Sequence, residues 1–288
     1  MNHANRVLTC SAPAKLNLFL LVTGRRPDGY HTLQTLFRFI DRSDELSFEL
    51  RRDGRVRRVT ELPGVAESSD LSVRAAHLLQ AETACGLGVD IAIRKHLPLG
   101  GGLGGGSSDA ASALVALNRL WDLRLPRAKL QDLALRLGAD VPVFVFGRNA
   151  LAEGIGERLQ AIDLPPAWYL VLVPPVAVST ADVFADPELT RSTTPVTIRA
   201  FSEGCVPSGL FGRNDLEAVV CRRYPEVAHH LKWLRRFGPA ALTGSGACVY
   251  CPFDSEAPAL SALAQLPSGM HGFVAGGLAR HPLLDWID

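Results

Sequence analysis

What this chain lacks narrows its chemistry before any motif is read. It has no charge excess: thirty lysines and arginines face twenty-nine aspartates and glutamates, a formal charge of +1. Nucleic acid and anionic membrane usually demand a basic excess, so neither is expected as the main partner. No uninterrupted apolar run approaches the roughly 18 residues of a membrane span. The opening stretch MNHANRVLTCSAPAK has no charged segment followed by a long apolar one, so no secretory signal is expected. Six cysteines stand apart at positions 10, 85, 205, 221, 248 and 251, in a chain too long to need stapling. Reduced thiols and a cytoplasmic location are the expectation. No fixed-period repeat points to a solenoid.

What is present is a soluble, globular composition, with 47% hydrophobic and 20% charged residues over 288 positions. AKLNLFLLVTG alternates like a strand, with Lys15, Asn17 and Phe19 on one face and Leu16, Leu18 and Leu20 on the other. TLQTLFRFID and ELSFELRRDGRVRRVTEL read as further strands, the second folded at an Asp53-Gly54 hairpin. Ser69 or Asp70 caps a helix running to about Cys85 and stopped by Gly86. Helices follow from near Ser108 and from Arg127 to Leu137, the latter ended by Gly138. Pro165 and Pro166 mark a domain crossing, giving an N-terminal domain over 1–163 and a C-terminal one over 164–288. Strands and helices do not alternate strictly, which implies α+β architecture.

One stretch asks for more than packing. In PLGGGLGGGSSDAAS, Pro98 to Ser112, six of the nine residues from Gly100 to Ser108 are glycine. Glycines ahead of a helix let an anion reach unpaired N–H groups at the positive end of the dipole. Ser107 and Ser108 add hydroxyls for phosphate oxygen or magnesium. The Walker A loop is excluded because no lysine follows these glycines, and a dinucleotide fold would open on strand–loop–helix.

Five blocks, PAKLNLFL at 13–20, DGYHTLQTLF at 28–37, PLGGGLGGGSSDAAS at 98–112, LGADVPVF at 137–144 and LTGSGACVY at 242–250, together resemble the GHMP small-molecule kinases. The similarity spans the chain from near residue 13 to near residue 275. It implies a two-domain GHMP kinase fold with a deep inter-domain cleft, and ATP and Mg2+ as cofactors. The DGYH block is similar to the branch that phosphorylates the 2-hydroxyl of a cytidylyl methylerythritol in non-mevalonate isoprenoid synthesis.

The resemblance implies that Asp140 is the catalytic base and Lys15 its partner. A carboxylate can take the proton of an attacking alcohol, and a lysine can offset charge on the moving phosphoryl group. Read alone, Asp140 is equally a helix cap ahead of Pro142. Lys15 alone could be the solvated end of an edge strand. By the same resemblance ATP lies on Pro98, Leu99, Gly100, Gly101, Gly102, Leu103, Gly104, Gly105, Gly106, Ser107 and Ser108. Asn17, Tyr30, His31, Thr180 and Phe184 would contact the acceptor, Tyr30 stacking on the base and His31 bonding its edge. Thr243, Gly244, Ser245 and Gly246 would form a second glycine loop near the phosphate; a tight turn before a strand explains them equally well. Asp109 needs only a structural role at the helix start, although it could help to hold magnesium. The magnesium ligands and the oligomeric state stay open.

Two other readings remain: a GHMP kinase for a mevalonate- or homoserine-like acceptor, and a non-catalytic nucleotide-binding regulator or RNA-binding module. CVYC at 248–251 has metal or redox spacing but sits in a strand without a second pair. RRDGRVRR reads as a solvated ribbon, and His229-His230 as surface residues.

Overall fold

The computed structural model describes residues 6–197 and 211–287, so Cys205 lies outside the described residues. Two long strands, β1 (Val7–Arg25) and β2 (His31–Arg51), pair antiparallel along most of their length. On its other side β2 meets β4 (Gly88–Arg94) with one half and β5 (Ala150–Gly154) with the other, and β6 (Arg158–Ala161) continues from β5. Helices α1 (Leu71–Thr83), α2 (Gly105–Leu120), α3 (Arg127–Leu137) and α4 (Val141–Phe146) cover one face. There Phe37, Phe39 and Phe48 of β2 meet Leu114, Leu117 and Leu133. A second sheet, ordered β10 (Gly272–Gly276), β7 (Trp168–Leu172), β9 (Val249–Phe253), β8 (Ala241–Leu242), packs on the opposite face. Leu16, Phe19 and Ile40 there meet Tyr169, Val171 and Tyr250. The far side of that sheet carries α5 (Thr180–Ala185), α6 (Glu217–Arg223), α7 (Pro225–Leu234) and α8 (Glu256–Leu263). Helices and two sheets thus form an α+β stack, with β1 touching both halves of the chain.

Several local expectations need correction. Asp53-Gly54 does not close a hairpin: β3 (Val56–Arg58) runs parallel to β4, which lies between β3 and β2. Of the arginines around it, Arg51 and Arg57 pair with Asp90 and the half-buried Arg58 with Asp70, while Arg52 and Arg55 are exposed, as a solvated ribbon would have them. Asp70 also accepts the Ser72 amide as the cap of α1. That helix ends at Ala84, which itself takes the left-handed conformation, and Gly86 plays no part in the stop. Helix α2 begins at Gly105, a turn earlier than expected, so Ser107 and Ser108 lie inside it. His230 is buried, with Nδ1 against the Glu226 carbonyl, and only His229 is exposed.

The alternation of β1 also breaks. Asn17 faces Phe37 while Leu20 faces Thr35, so three steps along β1 match two along β2. This bulge inserts one residue and reverses the faces beyond it. Phe19 joins Leu16 and Leu18 between the sheets, and Leu20 turns to the side of Lys15 and Asn17. The edge of β1 that faces away from β2 bonds the other half of the chain there: Leu20 N–H donates to the Arg213 carbonyl and Gly212 N–H to that of Leu18.

Candidate active site

The bulge puts Lys15, Asn17 and Leu20 along one wall of a cleft of about 300 Å³, facing Ser107, Asp140, Thr180 and Ser245. Lys15 is 2% exposed. An ammonium has three N–H donors, and each has an acceptor here. Asn17 Oδ1 lies at 2.6 Å, the Gly102 carbonyl at 2.9 Å and Asp140 Oδ2 at 3.2 Å. The head group also sits 5.5 Å from the centre of the Phe37 ring. It is therefore neither solvated nor free to rotate.

Asp140 occupies the N-cap position of α4 but makes no capping bond. The cap and the base compete for one carboxylate, and the lysine has it. Asn17 is itself fully engaged. Because lysine cannot accept, the oxygen of the Asn17 amide must face it, and Nδ2 then donates to Thr35 Oγ1 at 2.8 Å. The Asn17 N–H donates to Thr243 Oγ1 at 3.0 Å. Asn17 lines the cleft, yet its hydrogen bonds position Lys15 rather than point into open space.

The glycines divide by what surrounds them. A Cβ on Gly102, at φ +75°, would come within 2.2 Å of the Thr243 carbonyl oxygen. One on Gly104, at φ +73°, would press on Phe144 and on the stem of Lys15 at about 3.0–3.1 Å. Gly101 is crowded by Cys248, whereas a Cβ on Gly100 would meet nothing within 4 Å. Half of the loop is bare because protein packs on it, and the openings lie at Gly100 and Gly106. The loop is tied down by Lys15 N–H to the Leu103 carbonyl and Cys248 N–H to that of Gly101. The first amides of α2 have no helical acceptor and face this loop. Ser108 Oγ and Asp109 Oδ1, both buried, have no hydrogen-bond partner among the described residues, while Asp109 Oδ2 is held by Lys95 at 2.8 Å. Burial and the nearby Asp44 push the Asp109 carboxyl up, with Lys95 acting the other way.

The Thr243–Gly246 turn leans on Gly102, and Ser245 Oγ lies 2.7 Å from Thr180 Oγ1 on α5. A second chamber of about 450 Å³ opens beside the first, lined by Tyr30, His31, Thr180 and Phe184. Tyr30 is 62% exposed. His31 stacks on Phe184 with ring centres 5.0 Å apart. Of the residues singled out in the sequence, Lys15, Asn17, Ser107, Asp140, Gly244 and Ser245 line the first chamber, Tyr30 and His31 the second, and Thr180 and Phe184 both, whereas Pro98–Gly106, Ser108, Thr243 and Gly246 line neither and Leu103 is buried in the core. Sequence reading missed Leu20, Thr35, Phe37, Ala139 and Ile155 in the lining. Leu20, Thr35, Phe37 and Ala139 carried a hint, standing in the PAKLNLFL, DGYHTLQTLF and LGADVPVF blocks, and Ile155 carried none. The CVYC thiols join opposite cores, and burial pushes Cys248 to about 12 and Cys251 to about 11. Among the described residues no cluster of three or more His, Cys, Asp or Glu could hold a metal, and no helix is long and apolar enough to cross a membrane.

Known proteins match this arrangement over nearly the whole chain. The GHMP kinases N terminal domain matches residues 70–148, and the GHMP kinases C terminal domain residues 203–272. A 4-diphosphocytidyl-2-C-methyl-D-erythritol kinase of Thiobacillus denitrificans is 61% identical, covering 96% of this chain and 97% of its own. One of Nitrosospira multiformis is 59% identical, covering 98% and 95%. The crystal structure of a 4-(cytidine 5'-diphospho)-2C-methyl-D-erythritol kinase superposes with a TM-score of 0.78 at 33% identity, covering 94% of this chain and 99% of that one. The L. major mevalonate kinase shares the fold, with a TM-score of 0.68 at 18% identity over 96% of this chain and 99% of its own.

Proposed function

The chain belongs to the GHMP kinase family, and we propose that it phosphorylates 4-diphosphocytidyl-2-C-methyl-D-erythritol on its 2-hydroxyl, using ATP, in the cytoplasm. The observation that carries this is the Lys15 tripod, which holds Asp140 and the Gly102 carbonyl on one head group. Base and donor loop are therefore one side chain apart.

Asp140 takes the proton of the 2-hydroxyl as its oxygen attacks the γ-phosphorus. The new O–P bond forms while the bond to the β-phosphate oxygen breaks, and ADP leaves with that electron pair. Lys15 stabilises the charge shared among the three equatorial oxygens. The 98–108 loop and the free amides of α2 hold the triphosphate. The Thr243–Gly246 turn closes over the same phosphates from the other half of the chain. Tyr30, His31 and Phe184 hold the cytidine, and Thr180 the linker. Residues 1–163 then form the ATP-binding and catalytic part, and 164–288 the part that covers the acceptor.

The residues present suit a magnesium ion. Ser108 Oγ is buried at the first turn of α2, and among the described residues it has no hydrogen-bond partner and no carboxylate cage surrounds it. Mg2+ on nucleotide phosphates needs few protein ligands, so Ser108 together with Ser107 suffices. When bound, the ion neutralises phosphate charge.

Incubation with ATP, magnesium and the cytidylyl acceptor, followed by mass analysis, should show one added phosphate on the acceptor and an equal amount of ADP. Transfer to mevalonate or homoserine instead, or ATP binding with no transfer to any acceptor, would overturn the reading.

A further inference from the structure

Arg191 lies outside every motif of the sequence, yet it holds the nucleoside chamber together. Its Nε donates to His31 Nε2 at 3.0 Å. Its Nη1 donates to the Leu189 carbonyl at 3.0 Å, and its Nη2 to those of Phe184 and Asp186 at 2.9 and 2.7 Å. One guanidinium thus fixes both the imidazole and the end of α5 that carries the stacked Phe184.

The pairing decides where the imidazole proton sits. A guanidinium has donors and no acceptor, so His31 Nε2 must be the unprotonated nitrogen. Burial and the charges of Arg191 and Arg25 lower the His31 pKa, which keeps the ring neutral. A neutral ring with a bare Nε2 carries its proton on Nδ1. Among the described residues no other hydrogen bond reaches the ring, so Nδ1–H is its one uncommitted polar group.

We infer that Arg191 is a positioning residue that locks His31 as the Nδ1–H tautomer and thereby sets base choice. A ring that can only donate accepts a base whose edge offers a lone pair. Cytosine N3 does so, whereas uracil presents N3–H and sets donor against donor. The inference rests on the reading of the second chamber as the cytidine site. Lysine at this position would keep one donor and the charge, although without the fork.

The test uses the full chain with 15N-labelled histidine. His31 should show a protonated Nδ1 and a bare Nε2 in the wild type and in Arg191→Lys. In Arg191→Met the ring should move to mixed tautomers. Titration with CDP and UDP, followed at the His31 signals, should give CDP at least about a tenfold advantage, the worth of one mispaired buried donor. That advantage should fall below about threefold in Arg191→Met and largely return in Arg191→Lys, with the KM for ATP unchanged in both. A protonated Nε2 in the wild type overturns the inference, as does a CDP preference that survives Arg191→Met. Should CDP be preferred at His31 while the cytidylyl acceptor is never phosphorylated, the reaction proposed above fails and the tautomer lock stands.

Discussion

Asp140→Asn separates the base from the scaffold, because the structure lets each consequence be sized. The exchange keeps the shape of the side chain and removes its charge and its ability to take a proton. Helix α4 loses no cap, since the carboxylate makes no capping bond. The Asp140 side chain is 38% exposed, which screens its end of the pair, but Lys15 is 2% exposed and loses a counter-charge. Lys15 keeps the neutral acceptors Asn17 Oδ1 and the Gly102 carbonyl, which limits the cost. Stability to urea should therefore fall by about 1–3 kcal/mol, and ATP affinity should hardly move. Turnover should fall by about 10²–10⁴, equivalent to roughly 3–5 kcal/mol of transition-state stabilisation. Coupled ADP release gives kcat, and nucleotide titration with urea melts gives the rest. Turnover within about threefold of wild type would remove Asp140 as the base, and a large loss of stability would show that its role is structural.

Three further outcomes follow from the same geometry. Tyr30→Ala removes an exposed ring from the second chamber, so the KM for the acceptor should rise well above any change in the KM for ATP; equal shifts would make the ring mere scaffold. Gly102→Ala forces a Cβ onto the Thr243 carbonyl at left-handed φ and should destabilise by about 2–4 kcal/mol, whereas Gly100→Ala, with open space around it, should cost only about 1–2 kcal/mol; similar urea midpoints would contradict this. His281 is buried, and burial lowers its pKa from 6.5 to about 3. Between those pH values the unfolded chain binds a proton that the folded one refuses, so stability drops as pH falls through that window, by at most about 5 kcal/mol. His281→Met should flatten that part of the profile in urea titrations at pH 7 and pH 4, and parallel profiles would count against it.

Much of this molecule was legible because its signals are local. The period of α3, the cap at Asp70 and the apolar runs of β7 and β9 lie within a few residues of one another. What escaped depends on partners far away in sequence. Asp53-Gly54 has the composition of a hairpin turn, but β4 occupies the flank of β2 that the returning strand would need. The bulge after Asn17 follows from the register against β2 and from bonds to Gly212 and Arg213, so the alternating pattern assigned Phe19 and Leu20 to the wrong faces. Asp140 showed its two uses without deciding between them, since the deciding lysine is on β1. Arg191 meets His31 across 160 positions, and no spacing rule reaches that far.

The same long-range bonds explain how two halves of a chain can serve one transfer. Phosphoryl transfer asks the protein mainly for position and charge. Here position is set by a short closed circuit. Asn17 donates its N–H to Thr243 and receives Lys15, Lys15 bonds the Gly102 carbonyl, and Gly102 packs on the Thr243 carbonyl with no room for a side chain. Thr243 belongs to the second sheet's turn and Gly102 to the loop before α2, so neither glycine segment can shift without straining the other. A buried, fully hydrogen-bonded polar network has few alternative arrangements. The bulge in β1 completes the wall beside that circuit, because an unbroken ladder would have given Phe19 the face that Leu20 now shares with Lys15.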